Sequence, residues 1–143
     1  IEKDLLGTLD ELGLGCIAFS PLAQGLLTDK YLAGTPEGSR ASRGGPFREG
    51  FLSEATLAKV RALNDIAVRR GQTLAQMAIA WVLRDPRVTS ALVGARTVEQ
   101  LDNSLAALGA APFTAEELAE IDQHATEAEI NIWKASSTAV ASN

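Results

Sequence analysis

Residues 16–31 read CIAFSPLAQGLLTDKY, and this stretch decides the class of fold that we expect. It opens with a continuous apolar run over residues 16–19, which is typical of a strand buried on both faces in a parallel sheet. Pro21 ends that strand, because proline cannot donate a hydrogen bond to a sheet ladder. A second run of this kind, Val88–Val93, is closed by Gly94. The two runs predict two strands of a parallel sheet.

Two helical patterns begin without a capping box. Residues 1–13 have apolar side chains on one face and charges on the other, and Gly13 stops that helix. Ser53 is a typical N-cap, and its helix is predicted to run to about Arg70, where Gly71 ends it. The side chains that we expect on the apolar faces of these helices are Leu5, Leu9, Leu12, Leu57, Val60, Leu63 and Ala67.

Three further helices begin with a capping-box sequence, in which a threonine precedes Gln or Glu by three residues. These boxes are Thr73–Gln76, Thr97–Gln100 and Thr114–Glu117, and Asp85-Pro86 is predicted to end the first helix. The side chains predicted to face inward are Leu74, Met77, Ala78, Trp81 and Val82 in the first, Val98, Leu101, Leu105 and Leu108 in the second, and Leu118 and Ile121 in the third.

The order of elements is helix, strand, loop, two helices, strand and two helices, which predicts right-handed βαβ connections. Two strands with unpaired edges are marginal by themselves, whereas a complete (β/α)8 barrel takes about 250 residues. We therefore expect an α/β chain whose residues 1–143 are the C-terminal portion of a TIM barrel. The first residue, Ile1, is not Met, which fits the expectation of a truncated or processed chain.

A long loop is predicted over residues 33–50, AGTPEGSRASRGGPFREG, and such loops are usually functional lids or disordered. Its arginines, Arg40, Arg43 and Arg48, suit the guidance of an anionic substrate or cofactor, and a disordered polar loop explains them equally well. The weakly patterned tail after Thr126 is expected to lie over the surface.

Composition excludes several classes of function. The chain has 143 residues and a net charge of −5, which suggests one domain and argues against nucleic acid as a partner. No apolar run is long enough to span a bilayer. The single cysteine, Cys16, cannot form an internal disulfide. We expect its side chain to be buried in the fold and the protein to belong to a reducing, cytoplasmic compartment. One Cys and one His fit no zinc-binding spacing.

Each predicted strand is followed by residues that suit an anionic ligand, at the end of a barrel where phosphate sites lie. After the first strand, Ser20 offers a hydroxyl, Gly25 allows close backbone approach to a pyrophosphate, and Lys30 offers a cation. After the second strand, Gly94 again permits close approach. Arg96 lies beside a helix N-terminus, where N–H groups and the helix dipole favour a phosphate.

Each of these residues also has a purely structural explanation. Gly25 and Gly94 suit ordinary turns, and Gln100 is the third member of a capping box. For Arg96 and Lys30 the structural explanation is a solvated surface charge, which is the commoner role of such residues. From the residues alone, both explanations stay open.

Longer segments resemble the aldo-keto reductase superfamily. AFSPLAQGLLTDKYL (18–32) is similar to that family's loop after strand seven, and SALVGARTVEQLDNSLAAL (90–108) to its strand eight and the following helix. EIDQHATEAEINIWKASS (120–137) resembles the branch of the bacterial L-glyceraldehyde-3-phosphate reductases, near the potassium-channel β-subunits. The resemblance covers essentially the whole chain, and both motifs in family order favour the ligand site.

The resemblance implies an NADPH site. Phe19 matches the aromatic position against which the nicotinamide ring rests, and Arg96 and Gln100 match the 2′-phosphate site, which favours NADPH over NADH. Asn103 falls where the family usually has a Glu that faces the adenine amine, and Ser104 replaces a family Asn. The cofactor-binding residues implied in this way are Phe19, Ser20, Pro21, Leu22, Gly25, Lys30, Gly94, Arg96, Gln100 and Asn103.

No catalytic residue is assigned, because the family's catalytic Tyr, Lys, Asp and His come from earlier strands. Tyr31 belongs to the loop motif and is expected to pack, whereas His124 is expected near a helix C-terminus.

By resemblance, the parent protein reduces an aldehyde or ketone to an alcohol with NADPH, and this segment alone is inactive. The substrate that the resemblance implies is a small carbonyl compound, a phosphorylated or polar aldehyde. Two alternatives remain at this point: an NADPH-sensing regulatory module, and a catalytically silent fragment that covers its strand edges by forming an oligomer.

Overall fold

The computed structural model describes residues 1–32 and 52–126. The predicted loop at 33–50 with its three arginines, and the tail after Thr126, lie outside the described residues. The elements are helix α1 Leu5–Glu11, strand β1 Cys16–Phe19, helix α2 Glu54–Arg69, helix α3 Leu74–Val82, strand β2 Val88–Leu92, helix α4 Val98–Leu105 and helix α5 Ala115–His124. Short 3₁₀ turns lie at Ala23–Gly25, Asp29–Tyr31 and Ala106–Gly109.

The two strands pair in parallel, as predicted, with Cys16 opposite Val88 and an irregularity before the next pair. Thr89 explains why the chain enters β1 through a glycine. Its Oγ1 accepts a hydrogen bond from the Cys16 N–H at 3.1 Å, and a Cβ added to Gly15 would lie only 2.7 Å from that oxygen. Because the strands are parallel, their carboxyl ends lie at the same edge of the sheet.

The hydrophobic core lies among α2, α3, α5 and the segment after β1. It confirms the predicted inward face of α2, the first turns of α3 and Ile121 of α5, and it includes Tyr31 as a packing residue. The buried members are Leu26, Tyr31, Val60, Leu63, Ile66, Ala67, Leu74, Met77 and Ile121. Leu57 and Trp81 pack against this cluster from partly buried positions.

Burial of both strand faces was predicted, and within the described residues that prediction is wrong. Cys16 is buried as expected, but Ile17, Phe19 and Leu92 are each at least 60% exposed. The helical core covers one face of a sheet that has only two strands among the described residues, so the other face stays open. The second strand also ends one residue early, at Leu92.

The first helix is shorter than the predicted span of 1–13. It begins at Leu5 and ends at Glu11, and Gly13 follows with a φ of +65°, which a glycine adopts readily. Its buried side chain is Leu6, whereas Leu5 and Leu12 on the predicted apolar face are exposed. The predicted inward face of this helix is therefore wrong, because the side chain that is buried is Leu6.

The same error affects α4. Val98, Leu101, Leu105 and Leu108 were predicted to face inward, and all are exposed, Val98 by 74%. Helical spacing shows that a face is apolar, but burial needs a partner surface that the described residues do not supply.

Side-chain caps set the helix starts. Ser53 accepts a hydrogen bond from the Thr56 N–H, and the boxes at Thr73 and Thr114 are complete. The box at Thr97 is only half formed, because the Gln100 side chain does not return to the Thr97 N–H. The third helix ends at Val82, ahead of the predicted stop at Asp85-Pro86.

Arg70 joins the end of α2 to α5. Its guanidinium donates to the Glu117 carboxylate and the Ala111 carbonyl, and lies 3.9 Å from the centre of the Phe113 ring. The side chain is only 6% exposed, so these contacts compensate a desolvated charge. Arg70 therefore stabilises the helical layer that supports the sheet.

Candidate functional site

A cavity of about 830 Å³ lies at the carboxyl ends of β1 and β2. Two connections form its wall: the segment after β1 and the loop between β2 and α4. All the cofactor-binding residues implied by the sequence line it except Asn103. Gln24, Tyr31, Leu92, Val93 and Ala95 also line it, and the sequence did not single them out for this site.

The segment after β1 has an unusual backbone. Ser20, Ala23 and Gln24 have φ values of 54°, 46° and 60°, and Gly25 follows at 95°. Positive φ is uncommon in residues other than glycine, and such strain is concentrated at functional sites. No residue type signals the positive φ at Ser20, Ala23 or Gln24, and the sequence indicated a special backbone position only at Gly25, as a turn or a close approach.

Local hydrogen bonds hold this strained segment in place. The Ala23 N–H donates to the Ser20 carbonyl at 3.0 Å, and the Gly25 N–H donates to the Leu22 carbonyl at 2.8 Å. The Thr28 hydroxyl donates to the Gly25 carbonyl at 2.7 Å. Leu26, which is 1% exposed, anchors the turn in the core. The loop is therefore preorganised by contacts of its own.

Lys30 supplies a positive charge to the same wall. It lies in a 3₁₀ turn whose N-cap, Thr28, accepts a hydrogen bond from the Lys30 N–H. The Lys30 ammonium is 5.5 Å from the centre of the Tyr31 ring, and Tyr31 is 2% exposed. The buried ring thus supports an exposed lysine at the cavity.

The loop after β2 brings a second cation. Arg96 is exposed and directly precedes Thr97, the N-cap of α4, whose hydroxyl accepts from the Gln100 N–H at 3.2 Å. The Gln100 Oε1 accepts from the Arg96 N–H at 2.9 Å. The N-terminus of α4 therefore borders the cavity, where its dipole favours an anion.

The charge of the cavity opposes that of the chain. Lys30 and Arg96 line it, and none of its described lining residues is Asp or Glu, although the whole chain has a net charge of −5. Phe19 adds an aromatic side chain that is 60% exposed. Cations, backbone at a helix N-terminus and an aromatic surface together suit an anionic ligand that carries planar rings.

Asn103 lies elsewhere. Its Oδ1 accepts hydrogen bonds from the Gln76 Nε2 at 2.9 Å and from the Thr73 hydroxyl at 3.3 Å. The neighbouring Ser104 donates to the Gln100 carbonyl inside α4. Asn103 thus links α4 to the start of α3 and is not part of the cavity wall.

A second cavity, of about 970 Å³, lies near the amino end of β2. Its arginines are paired with acids: Arg87 binds both carboxylate oxygens of Asp85, and Arg84 binds Glu2. The hydrogen bonds from Arg87 hold the pKa of Asp85 at about 2, below its usual 3.8. This larger cavity has balanced charges and lies at the amino end of β2, whereas ligands of parallel α/β sheets bind at the carboxyl ends of the strands.

The described residues contain no cluster of His, Cys, Asp and Glu that could hold a metal. His124 lies in the last turn of α5, as predicted, away from the cavity. Within the same part of the chain, no helix has the length and apolar character needed to span a membrane.

The profile of the aldo/keto reductase family matches residues 1–126. The chain therefore belongs to the aldo/keto reductase family. The branch resemblance is also supported: the chain is 55% identical over 140 residues to the L-glyceraldehyde 3-phosphate reductase of Escherichia coli O157:H7. It is 53% identical over 140 residues to the protein of that name from strain K12.

Both matches cover 95% of this chain and 40% of the relative, so the chain spans about two fifths of their length. Among solved structures, the glycerol dehydrogenase of Gluconobacter oxydans is similar with a TM-score of 0.70 and 29% identity. That similarity covers 87% of this chain and 38% of the dehydrogenase.

Proposed function

We propose that this chain is the C-terminal, cofactor-phosphate-binding part of an NADPH-dependent aldo-keto reductase with a TIM barrel. The complete reductase would reduce an aldehyde or ketone to an alcohol. The observation that carries the proposal is the cavity at the carboxyl ends of β1 and β2, with two cations and no acid among its described lining residues. The exposure of Ile17 and Leu92 on the open face of the sheet supports the proposal, since the remaining strands of a barrel would pack against that face.

The residues present fit the phosphates of NADPH. The Ser20 hydroxyl, the backbone at Gly25 and the Lys30 ammonium would hold the pyrophosphate. Arg96 and Gln100, beside the N-terminus of α4, would hold the 2′-phosphate. Phe19, exposed on the same wall, offers the surface for the nicotinamide ring. When bound, the cofactor supplies the hydride, while the protein binds and orients it.

The catalytic acid would lie elsewhere in the complete reductase. Tyr31 is the only tyrosine in the chain, and it is buried in the core cluster. The single histidine, His124, is on α5. We propose that the family's catalytic Tyr, Lys, Asp and His come from earlier strands, and that residues 1–143 alone bind cofactor without turning over substrate.

The substrate that we propose is a small phosphorylated aldehyde. Support comes from the two relatives that are 53–55% identical and bear the name L-glyceraldehyde 3-phosphate reductase. The described residues of this chain supply the cofactor side of the site, so this part of the proposal rests on those relatives.

The test combines intact mass, binding and turnover of the protein at its natural length. We expect a mass well above 15.1 kDa, calorimetric binding of NADPH in preference to NADH, and NADPH oxidation with L-glyceraldehyde 3-phosphate. Absence of NADPH binding would contradict the proposal. Binding without turnover, in a protein long enough to form a barrel, would favour an NADPH-sensing module instead.

A further inference from the structure

The Thr28 hydroxyl joins two parts of the cavity wall that follow β1. It donates a hydrogen bond to the Gly25 carbonyl at 2.7 Å, and its oxygen accepts a longer one, at 3.4 Å, from the Lys30 N–H. Gly25 and Lys30 both line the cavity at the carboxyl ends of the strands, whereas Thr28 is not among its described lining residues. One half-buried side chain therefore bonds to both the turn and the lysine without bordering the cavity.

The direction of these bonds limits what the Thr28 hydroxyl can do. A carbonyl oxygen only accepts, so the single hydroxyl hydrogen is used in the bond to Gly25. The oxygens of a pyrophosphate are negatively charged at neutral pH, and they also only accept hydrogen bonds. Thr28 would have to give up its bond to Gly25 before it could donate to a phosphate. Its contribution to an anion site therefore passes through its two partners.

The bond to Gly25 matters because of the backbone conformation there. Gly25 has a φ of 95°, in a region that glycine enters and leaves easily. The bond from the Leu26 N–H to the Ala23 carbonyl, at 3.2 Å, holds one side of the peptide after Gly25, and the Thr28 hydroxyl holds the other. Without that hydroxyl the peptide would be freer to rotate, and its oxygen could turn its partial negative charge towards a bound anion.

The bond to Lys30 fixes the backbone of the cation. Thr28 is the N-cap of the 3₁₀ turn Asp29–Tyr31, which the buried Tyr31 anchors in the core. The Lys30 side chain is exposed, and it loses rotamer freedom when it binds an anion. A backbone that is already in place lowers the entropy that must be lost on binding.

We propose that Thr28 is a positioning residue for the pyrophosphate of the dinucleotide, which holds Gly25 and Lys30 in place without contacting the cofactor. The inference rests on the NADPH site proposed above and deepens it. Because NADPH and NADH have the same pyrophosphate, loss of the Thr28 hydroxyl should weaken the binding of both equally. Contacts with the 2′-phosphate should not change.

The test compares Thr28→Val, which removes the hydroxyl at nearly constant shape, with Thr28→Ser, which keeps it. The protein at its natural length is titrated by calorimetry with NADPH, NADH and adenosine 2′-monophosphate, which has the 2′-phosphate but no pyrophosphate. One neutral hydrogen bond corresponds to about a three- to tenfold change in affinity. We expect Thr28→Val to lower the affinities for NADPH and NADH alike by that factor. Its affinity for the monophosphate, and all affinities of Thr28→Ser, should stay within about twofold of wild type.

Thr114→Val is the matched control, because it removes a threonine hydroxyl that caps α5 away from the cavity. It should lower the unfolding temperature and leave the cofactor affinities unchanged. The positioning role would be overturned, with the NADPH site intact, if Thr28→Val bound both cofactors like wild type, lost affinity for NADPH alone, or lost as much affinity for the monophosphate. An equal loss in Thr28→Ser would overturn it too. A wild-type protein that does not bind NADPH would overturn the proposed function and this inference with it.

Discussion

One cavity lies at the carboxyl ends of both strands and the other near the amino end of β2, and the two cavities balance charge differently. At the amino end, Arg87 and Arg84 are paired with Asp85 and Glu2. At the carboxyl end, Lys30 and Arg96 share a wall that has no acid among its described residues. Paired charges stabilise a turn, whereas uncompensated cations beside strained backbone are the arrangement expected where an anion binds. Size does not identify the site, since the balanced cavity is the larger one.

The largest difference between the two cavities is expected when one arginine is removed from each. Arg96→Ala should weaken NADPH binding by about 1.5–3 kcal/mol, the range for a hydrogen bond to a charged group, and leave NADH binding nearly unchanged. Arg87→Ala at the amino end should change neither affinity. Calorimetric titration at low ionic strength measures both. Equal losses of NADPH affinity in the two variants would erase the distinction between the cavities.

The strained loop offers a second test. Gly25 has a φ of 95°, so Gly25→Ala should cost about 1–2 kcal/mol in the free energy of unfolding and weaken NADPH binding as well. Gly7→Ala is its control, because Gly7 lies inside α1 and a Cβ there meets no atom within 4 Å. That change should stabilise the protein by about 0.5–1 kcal/mol. Denaturant unfolding measures both changes in the free energy of unfolding, which should have opposite signs. A Gly25→Ala variant as stable as wild type would show that the backbone relaxes without cost.

Much of this arrangement could be predicted from sequence, because it depends on local chemistry. Apolar runs located both strands, and capping residues located the starts of α2, α3, α4 and α5. The cavity wall followed from the fact that loops after parallel strands share one edge. Gly25 was identifiable because glycine is the residue that adopts positive φ easily.

The rest depends on tertiary context, which a periodic pattern does not contain. Val98 and Leu101 lie on an apolar face of α4, yet their exposure depends on whether another surface packs there. Gln24 has a positive φ inside a turn that the hydrogen bond from the Gly25 N–H to the Leu22 carbonyl closes, and its residue type does not signal this. The Gln100 side chain can reach two backbone N–H groups, and only the tertiary structure shows that it bonds to that of Arg96 and not to that of Thr97.

Asn103 tests how far the cofactor site extends along α4. It bonds to Gln76 and Thr73, so Asn103→Ala should lower the free energy of unfolding by about 1 kcal/mol per lost bond. NADPH affinity should not change, in contrast with Arg96→Ala. Parallel unfolding and binding experiments check this, and a clear loss of NADPH affinity at unchanged stability would return Asn103 to the cofactor site.

The smallest effect is expected at the amino end. The ionised Asp85 carboxylate stabilises the folded protein, because Arg87 donates hydrogen bonds to it and lowers its pKa from 3.8 to about 2. That contribution is complete above about pH 4 and is lost as pH falls towards 2. Wild type should therefore be more stable than Asp85→Asn at pH 4, and this difference in the free energy of unfolding should shrink as the pH falls from 4 to 2. Thermal unfolding at a series of pH values measures it, and a constant difference would deny the linkage.

Binding of NADPH at the carboxyl ends of the strands can be observed by an NMR titration of the protein at its natural length, with backbone amide shifts followed as NADPH is added. We predict shifts over residues 19–31 and 93–100, with Arg84, Arg87 and their neighbours unaffected. Shifts confined to the amino-end cavity, or no shift at saturating NADPH, would contradict the account.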